Sequence, residues 1–317
     1  MRVPRSIFGA ALLGMSFDDA ETVAHVLDQL ELVGIKQIDT APRYPPLNPG
    51  KSEELLGETH AASRAFAVDS KVLANPGSGG ELEAASIKES ISKTLARLGT
   101  QQLDTFYCHK FDVSTPLEEQ TSGLDACYRQ GLFRKLGVVG FQPDQLQAFL
   151  DTASANGHVK PSVYQGEYNI ITRGMEHKVL PLLRTHNIAY YAHCPLAAGF
   201  LTGNFTNGNQ AGTRFAVDHP LHHVFLQRYD IPALHVAIRK LEEAGVPYAI
   251  SVREISLRWI FYHSALGQED GVVTGCTTLA QITQNAQSIA RGPLPDELVW
   301  KVDAIWDSLV EGRAEIL

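Results

Sequence analysis

The chain has 317 residues, of which 44% are hydrophobic and 20% are charged, as in ordinary globular proteins. Its 27 Lys and Arg residues are outnumbered by 35 Asp and Glu residues, and the net charge of -8 comes without any basic run, so nucleic acid and anionic membranes are not expected partners. The cysteines form no C-x-x-C pair, and no segment approaches the roughly 18 apolar residues of a membrane span, so we expect a cytoplasmic protein without a membrane helix.

Short apolar runs alternate with amphipathic helical stretches from one end of the chain to the other. In order, the runs are "SIFGA", "KQIDT", "FAVDSKV", "LDTFYCH", "FRKLGVV", "PSVYQGEY", "IAYYAHC" and "GVVTGC". The helical stretches between them include 18–33, 86–99, 116–130 and one that begins at Pro143, and glycines mark their ends at Gly34, Gly99, Gly131 and Gly157. Buried strands that alternate with helices form parallel βαβ units, so the sequence predicts an α/β fold, a (β/α)8 TIM barrel, as a single domain over 1–317. A doubly wound sheet is the alternative, but "FGAALLG" lacks its G-x-G-x-x-G spacing.

The beginning of the chain, "MRVPRSIFGAALLGMSF", has two interpretations. Two arginines before a short apolar run are typical of a signal peptide. The alternative is a strand, "SIFGA", followed by a turn and a helix that begins near Asp18. We favour the strand, because a helix follows almost at once and the cysteines show no disulfide framework.

One connection between the predicted elements is unusually long. From about Gly199 to Tyr229 the hydrophobic periodicity is weak, and the stretch contains several glycines and "HPLHH". Loops of this length are uncommon in compact domains and tend to be functional. Because it follows the seventh strand, we expect this loop on the catalytic face of the barrel.

Polar residues stand at the ends of several predicted strands, where a barrel would gather them at one mouth. Asp39, Lys71 and His109 end the second, third and fourth strands, and Tyr44 follows in the loop after the second. A phenol has a pKa of about 10 and is a poor proton donor until a nearby cation lowers that pKa. We expect Lys71, held by Asp39, to lower the pKa of Tyr44, and His109 to hydrogen-bond the substrate oxygen. This set suits protonation of a carbonyl oxygen while hydride reaches the carbon.

An ordered set of segments resembles the aldo-keto reductase superfamily, and within it the aflatoxin-aldehyde reductase group. The segments are "IDTAPRY", "SKVLANPG", "LDTFYCHKFDVSTPLEE", "VYQGEYN", "CPLAAGFLTG", "GTRF" and "GCTTLAQITQN". The resemblance implies a catalytic tetrad formed by Asp39, Tyr44, Lys71 and His109. It also implies a cytosolic, NADPH-dependent reductase of a small aldehyde or ketone.

Further residues are predicted to bind the cofactor. The resemblance places Gln165 near the nicotinamide carboxamide, for which its amide has suitable donors and acceptors. The glycine-bearing segment after the seventh strand is expected to wrap the pyrophosphate with backbone N–H groups. The residues concerned are Cys194, Pro195, Leu196, Gly199, Gly203 and Asn204.

The eighth strand leads into "GCTTLAQITQN", whose helix is predicted to begin near Thr278. A helix N-terminus after the eighth strand is the usual phosphate site of a barrel, so we expect Thr277, Thr278, Gln281 and Asn285 to face the adenosine end. Many reductases of the superfamily have a basic residue at the position of Gln281. Arg214 is expected to supply the missing charge for the 2′-phosphate.

The chain departs from the superfamily pattern in three places. Val139 and Gly140 stand where the family usually has Ser-Asn, and His193 stands where a Tyr commonly stacks on the nicotinamide. The loop after Tyr44 contains "PPLNPG", which is expected to reshape one wall of the substrate pocket. These changes affect cofactor binding and the pocket, but none of them lies in the tetrad.

Two other functions remain open alternatives. The first is a non-catalytic NADP(H)-binding regulatory or sensor protein on the same barrel. The second is a hydrolase that uses two carboxylates, Asp39 and Glu167, which would leave Lys71 and Tyr44 without a role. No metal site is predicted, because the histidines of "HPLHH" have no carboxylate or thiol at ligand spacing. The sequence does not choose between a monomer and a homo-oligomer.

Overall fold

The computed structural model describes residues 3–74, 77 and 79–309. Its strands are β1 (Arg5–Gly9), β2 (Gln37–Asp39), β3 (Ala67–Lys71), β4 (Leu103–Cys108), β5 (Phe133–Val139), β6 (Pro161–Glu167), β7 (Ala189–His193) and β8 (Gly271–Thr274). Neighbouring strands pair in parallel, and β8 pairs with β1. The sheet is therefore a closed barrel, and the predicted (β/α)8 fold is confirmed. Asn75 and Pro76, in the quoted segment "SKVLANPG", lie outside the described residues.

Helices cover the outside of the barrel and connect its strands. They are α1 (Ala20–Leu32), α2 (Lys51–Glu58), α3 (Ala84–Leu98), α4 (Leu117–Arg129), α5 (Pro143–Ala155), α6 (Met175–Lys178), α7 (Leu180–Thr185), α8 (His222–Tyr229), α9 (Pro232–Gly245), α10 (Val252–Tyr262), α11 (Leu279–Ala290) and α12 (Asp296–Asp307). None of the helices in the described ranges has both the length and the apolar character needed to cross a membrane.

Helix ends lie close to the positions that the sequence predicts, because capping residues define them. Asp19 caps α1, and its carboxylate accepts the Thr22 N–H at 2.7 Å. The helix predicted from Asp18 thus begins at Ala20. Thr278 is the residue before α11, as expected. The segment "SIFGA" contributes to β1, which pairs with β2 and β8, so the strand interpretation of this segment is confirmed.

The two faces of the strands build two separate apolar layers. Side chains that point into the barrel form a small cluster, which contains Ile7, Tyr107, Val163, Tyr191 and Val273. Side chains that point outward pack against the helices in the main core. A Cβ atom at Gly137 would overlap the Tyr107 ring, so this glycine makes room for a large aromatic residue inside the barrel.

The long connection after β7 is more regular than the sequence predicts. A 3₁₀ segment occupies Ala197–Thr202, and α8 forms the last part of the connection. Tyr229, at the end of α8, stacks on Phe200 with ring centroids 5.7 Å apart, and Phe205 stacks on Phe215 at 4.6 Å. These aromatic contacts join residues that are distant in the sequence, and therefore they leave no periodic pattern that could have predicted the helix.

Candidate active site

The carboxyl ends of the strands bring four of the predicted residues to the inside of one barrel end. Asp39 lies on β2, Lys71 on β3, Gln165 on β6 and His193 on β7, and alternation along each strand turns these side chains inward. His109 follows β4 directly. The tertiary structure thus assembles groups that are up to 154 residues apart in the chain (193 − 39).

The Lys71 ammonium is fully buried and has a carboxylate as its main partner. Its Nζ donates to both oxygens of Asp39 at 2.8 Å and to the Thr40 carbonyl at 2.9 Å. Gln165 Nε2 donates to the same carboxylate at 2.9 Å. Burial alone would lower the pKa of Lys71, but the charges of Asp39 and Tyr44 raise it above its usual value. Lys71 is therefore a permanent cation in the barrel.

Tyr44 is held over this cation by its own loop. The Lys71 Nζ lies 5.0 Å from the centre of the Tyr44 ring. Ser52, at the start of α2, anchors the loop: its N–H donates to the Tyr44 carbonyl at 3.1 Å, and its hydroxyl donates to the Ala10 carbonyl at 3.0 Å. Thr40 Oγ1 also lies 2.8 Å from Ser52 Oγ. The sequence analysis missed Thr40 and Ser52, because Ser52 acts through a contact with Ala10, 42 residues away in the chain.

The pKa of Tyr44 depends on burial and on Asp39 as well as on the predicted effect of Lys71. Burial raises the pKa of the Tyr44 phenol, and Lys71 lowers it, while Asp39 raises it again. The net pKa lies above the usual value, so the expectation of a lowered pKa was wrong. The physical reason is that Lys71 is itself neutralised by Asp39, so its charge offsets only part of the desolvation.

His109 faces Tyr44 across the mouth of the barrel. The two rings meet edge to face, with centroids 6.1 Å apart. Burial, followed by the charges of Lys71 and Arg43, lowers the pKa of His109 to about 3. His109 is therefore a neutral imidazole at physiological pH. Its buried Nδ1 has no hydrogen-bond partner within the part of the chain that the structure describes.

Three residues that depart from the superfamily pattern lie around the same mouth. Val139 pairs in register with Gln165, and the Gly140 N–H donates to the Gln165 carbonyl at 3.0 Å. A Cβ atom at Gly140 would meet no atom within 4 Å, so the space beside this residue is open. His193 pairs in register with Glu167 and directly precedes Cys194. Burial raises the pKa of Cys194, but His193 and Arg214 outweigh it, and the net pKa is lowered.

The segment predicted to wrap a pyrophosphate is a tight turn that uses several of its own N–H groups. Those of Gly199 and Leu201 donate to the Leu196 carbonyl, and that of Gly203 donates to the Phe200 carbonyl. The φ angles of Gly199 and Gly203 are 100° and 81°, which explains the glycines. Pro195 precedes this turn, and the Asn204 N–H meets Thr202 Oγ1 at 3.4 Å. A pyrophosphate bound here would use the N–H groups that remain, or this turn would rearrange.

A cavity lies along α11, between this helix, the residues that follow β8, and the strand β1. Gln281 Oε1 accepts the Thr277 N–H at 2.8 Å and so supports the start of the helix next to Thr278. Asn285 lines a cavity of about 170 Å³ together with Cys276 and Ile282. Its buried Oδ1 atom accepts no hydrogen bond from the described residues. An unused buried acceptor in a cavity is well suited to a ligand N–H group.

Arg214 lines a different cavity from Asn285. Its guanidinium lies 5.5 Å from the centre of the Phe225 ring, in a cleft of about 170 Å³ that also contacts the loops after β1 and β2. The other residues that line this cleft are Ala11, Leu12, Met15, Pro46, Leu47, His219, Pro220 and Leu221. The cleft is thus mainly apolar, and the "PPLNPG" loop forms one wall.

Asp39 and Glu167 do not form a free carboxylate pair. Glu167 is buried, and its carboxylate accepts hydrogen bonds from Arg228 and from Tyr229, the latter at 2.9 Å. Asp39 is engaged by Lys71 and Gln165. Because both carboxylates are occupied by such partners, neither is arranged to activate water. The arrangement is instead suited to donating a proton from Tyr44 beside a buried cation and a neutral imidazole.

Comparisons with known proteins agree with this chemistry. The profile of the aldo/keto reductase family matches residues 7–307. An aldo-keto reductase of Pseudocercospora fijiensis is 30% identical over 288 residues, which cover 89% of this chain and 96% of the relative. Aflatoxin B1 aldehyde reductase member 2 of Homo sapiens is 30% identical over 312 residues, which cover 95% of this chain and 86% of the relative.

A third relative is similar over almost the same range. Aldo-keto reductase family 7 member A3 of Homo sapiens is 31% identical over 317 aligned residues, which cover 96% of this chain and 94% of the relative. The family acts on small carbonyl compounds and generally uses a nicotinamide cofactor. From its barrel, its buried Asp-Lys pair and these similarities, we conclude that this chain belongs to the aldo/keto reductase family of oxidoreductases.

Proposed function

We propose that the chain is an NADPH-dependent reductase of aldehydes or ketones, with Tyr44 as the general acid. The observation that carries this proposal is the buried Lys71 ammonium, which binds Asp39 and lies 5.0 Å from the centre of the Tyr44 ring. A cation beside a phenol stabilises the phenolate that remains once the proton has left. A sensor protein needs no proton donor, so this cluster favours an enzyme.

The residues of the tetrad have separate roles in this proposal. When bound, the reduced nicotinamide supplies the hydride for the carbonyl carbon. Tyr44 donates its hydroxyl proton to the carbonyl oxygen, and His109 donates a hydrogen bond to the same oxygen. Lys71 stabilises the tyrosinate that is left behind. Asp39 and the Thr40 carbonyl hold the Lys71 ammonium in place.

The chain has residues that fit the cofactor. The unused Asn285 Oδ1 atom is an acceptor for the exocyclic amine of adenine, and the N-terminus of α11 at Thr278 suits a phosphate. Gln165 keeps its amide oxygen for the carboxamide of the nicotinamide, since its Nε2 is used by Asp39. Arg214 lines the cleft beside the Tyr44 loop and not the Asn285 cavity, so the expectation that it binds the 2′-phosphate next to the adenine does not fit this cofactor position. The preference for NADPH over NADH is proposed from the resemblance to the aflatoxin-aldehyde reductases.

The substrate is proposed to carry an apolar group next to its carbonyl. The cleft lined by Leu12, Pro46 and Leu47 lies next to the loop that holds Tyr44, and its walls offer mainly aliphatic and aromatic contacts. A carbonyl at Tyr44 would leave the rest of the substrate against this cleft. We further infer a single domain over 1–317 and a cytoplasmic location, the latter because all four cysteines are free thiols.

The test is oxidation of NADPH, followed by its absorbance, with a panel of apolar and polar aldehydes and with NADH in parallel. Tyr44→Phe removes only the phenolic proton donor, so turnover should fall by about 10²–10⁴ while NADPH binding, measured by fluorescence, stays the same. Turnover of the variant near the parent rate would rule out Tyr44 as the acid. Binding of NADPH without turnover of any aldehyde by the parent protein would favour the sensor function.

A further inference from the structure

A second carboxylate lies beside Asp39 inside the barrel. Asp69 on β3 is the register partner of Asp39 on β2, and both residues point inward from paired positions. Asp69 has 0% and Asp39 has 3% of its surface exposed. Two carboxylates this close together and removed from water cannot both be ionised at low cost unless a cation serves each of them.

One cation is available here, and it is already used. An ammonium group has three donors, and those of Lys71 go to the two Asp39 oxygens and to the Thr40 carbonyl. Asp69 is instead contacted by neutral groups: Gln37 Nε2 lies 2.7 Å from its Oδ2, and the Thr105 N–H donates to its Oδ1 at 3.1 Å. Within the described residues no ion pair to Asp69 is formed.

The other charged groups around Asp69 do not change this balance. On β4, Asp104 carries a like charge, and it is paired with Lys135 of β5 at 3.1 Å. Arg5 on β1 is directed to the Tyr191 ring on β7, 6.0 Å from the ring centre. The groups that act on Asp69 are thus Asp39, Lys71, Asp104, Tyr107 and Tyr191. Burial, followed by Asp39 and Asp104, raises the pKa of Asp69 well above its usual value.

We propose that Asp69 is a neutral carboxylic acid beneath the catalytic tetrad. As a positioning residue, it does not attract the Lys71 ammonium away from Asp39 and Tyr44. Its proton has an acceptor: when the Gln37 amide is turned by 180°, the amide oxygen occupies the position 2.7 Å from Asp69 Oδ2. Asp69 Oδ1 continues to accept the Thr105 N–H. An ionised Asp69 would compete with Asp39 for Lys71.

The neutral acid has a thermodynamic signature that does not depend on any activity. In the unfolded chain an Asp has a pKa of about 3.9, so Asp69 takes up a proton when the chain folds at neutral pH. Its folded pKa is raised, so its stabilising contribution is complete below pH 3.9 and is lost as the pH rises toward the folded pKa. The Asp69→Asn variant has no ionisable group at this position, so its stability does not change with pH through this residue. The ratio of the unfolding constants, parent over variant, should increase about tenfold per pH unit from about pH 4 to neutral.

Infrared spectroscopy provides a direct measurement on the parent protein. A protonated carboxylic acid has a carbonyl band that carboxylates lack, so we expect this band at neutral pH in the parent protein and its loss in Asp69→Asn. Asp112→Asn is the matched control: burial raises the pKa of that carboxylate, but hydrogen bonds from Ser114, Leu82 and Thr115 outweigh burial and lower its pKa. The control should keep the band.

The catalytic part of the inference rests on the proposed function and has its own readout. At neutral pH, Asp69→Asn should keep kcat within about two-fold, because Asn has the shape of the neutral acid. At alkaline pH the turnover of the parent should fall earlier than that of the variant, because Asp69 ionises only in the parent. Similar alkaline limbs would overturn the positioning role.

Absence of the band from the parent at neutral pH, or its survival in Asp69→Asn, would overturn the neutral acid. The neutral acid would also be overturned if the free energy of unfolding had the same pH dependence in the parent and in Asp69→Asn. If Asp69→Asn does not fold, the parent alone still provides a test, because absence of the band at neutral pH would overturn the neutral acid. The infrared and stability results need no substrate, so they remain valid even if the chain reduces no carbonyl compound.

Discussion

The acidity of the Tyr44 hydroxyl is the result of two opposing effects on one residue. Burial raises its pKa, and the Lys71 ammonium lowers it. Lys71 is effective only because Asp39 and the Thr40 carbonyl hold it beside the ring. The acidity of the proposed proton donor therefore depends on several side chains, and a change at Lys71 should alter Tyr44 chemistry in a predictable direction.

Lys71→Met should shift the pH profile of carbonyl reduction as well as lower the rate. Without the ammonium, the Tyr44 pKa rises further, so Tyr44 keeps its proton to higher pH and the alkaline limb moves upward. The weaker acid and the lost stabilisation of the tyrosinate should reduce turnover by about 10²-fold or more. The measurement is kcat against pH for the parent and the variant.

Lys135→Met is the control for that experiment. Lys135 lies on β5 and pairs with Asp104, away from Tyr44, so its loss should leave the pH profile in place. Because Lys71→Met leaves the buried Asp39 carboxylate without its cation, folding of the variant is checked first by circular dichroism. A folded Lys71→Met protein with the parent's rate and alkaline limb would contradict the role of Lys71.

At the scale of elements, the end of β5 lies where we propose that the carboxamide end of the cofactor is held. Val139 offers no side-chain hydrogen bond, and Gly140 has no side chain. Gly140 has a φ angle of 63° and open space where its Cβ would be. Asn is among the few residues that adopt this left-handed conformation readily, so the backbone accepts the residue that the superfamily usually has there.

The double variant Val139→Ser with Gly140→Asn should therefore bind NADPH more tightly. Two added neutral hydrogen bonds, each worth about 0.5–1.5 kcal/mol, correspond to about ten-fold or more in affinity. The measurement is a fluorescence titration with NADPH at one salt concentration. Equal or weaker binding would mean that the carboxamide is held in another way, and His193→Ala would then be the next variant.

Gly157→Asn is a matched control for the backbone change in that variant. Gly157 has a φ angle of 65° and equally open space around its Cβ position, but it follows α5 at the surface. Asn at this site should leave NADPH binding unchanged. A similar gain in affinity from Gly157→Asn would show that the effect of the double variant does not come from the mouth of the barrel.

At the scale of the whole molecule, one buried carboxylate ties the layer of helices to the barrel close to the site. Glu53 of α2 is fully buried and accepts hydrogen bonds from Ser70 of β3 at 2.7 Å and from Thr94 of α3 at 2.9 Å. It also pairs with Arg97 at 3.0 Å. Ser70 adjoins Lys71, and Ser52 adjoins Glu53, so the same region supports Lys71 and Tyr44, two of the proposed catalytic residues.

Glu53→Ala should destabilise the fold by about 3 kcal/mol, because it leaves two buried hydroxyl groups and a partly buried guanidinium without their acceptor. The measurement is urea unfolding at neutral pH. Glu31→Ala is the control: Glu31 pairs with Arg64 at the surface, and its loss should leave the midpoint almost unchanged. If the two variants unfold at similar urea concentrations, Glu53 is not a structural anchor.

Much of this molecule follows from its sequence alone, because the relevant signals are local. Alternation of apolar runs with capped amphipathic helices predicts the eight strands. Asp39 and Lys71 end β2 and β3, and His109 directly follows β4. Parallel strands place their carboxyl ends at one mouth, so the meeting of these residues can be predicted without coordinates. The helix α1 begins within two residues of its predicted start, since Asp19 is a local cap.

Other properties were decided by the tertiary structure, because they depend on burial and on contacts between distant residues. The helix α8 is stabilised by aromatic packing that leaves no periodic pattern, and the net pKa of Tyr44 depends on how far its loop is buried. The pairing of Asp69 with Asp39 needs the register between β2 and β3, which no local pattern contains. The sequence by itself thus determined the barrel and which groups reach its mouth. The tertiary structure decided the protonation of those groups, because desolvation and the sharing of one cation are properties of the assembled core.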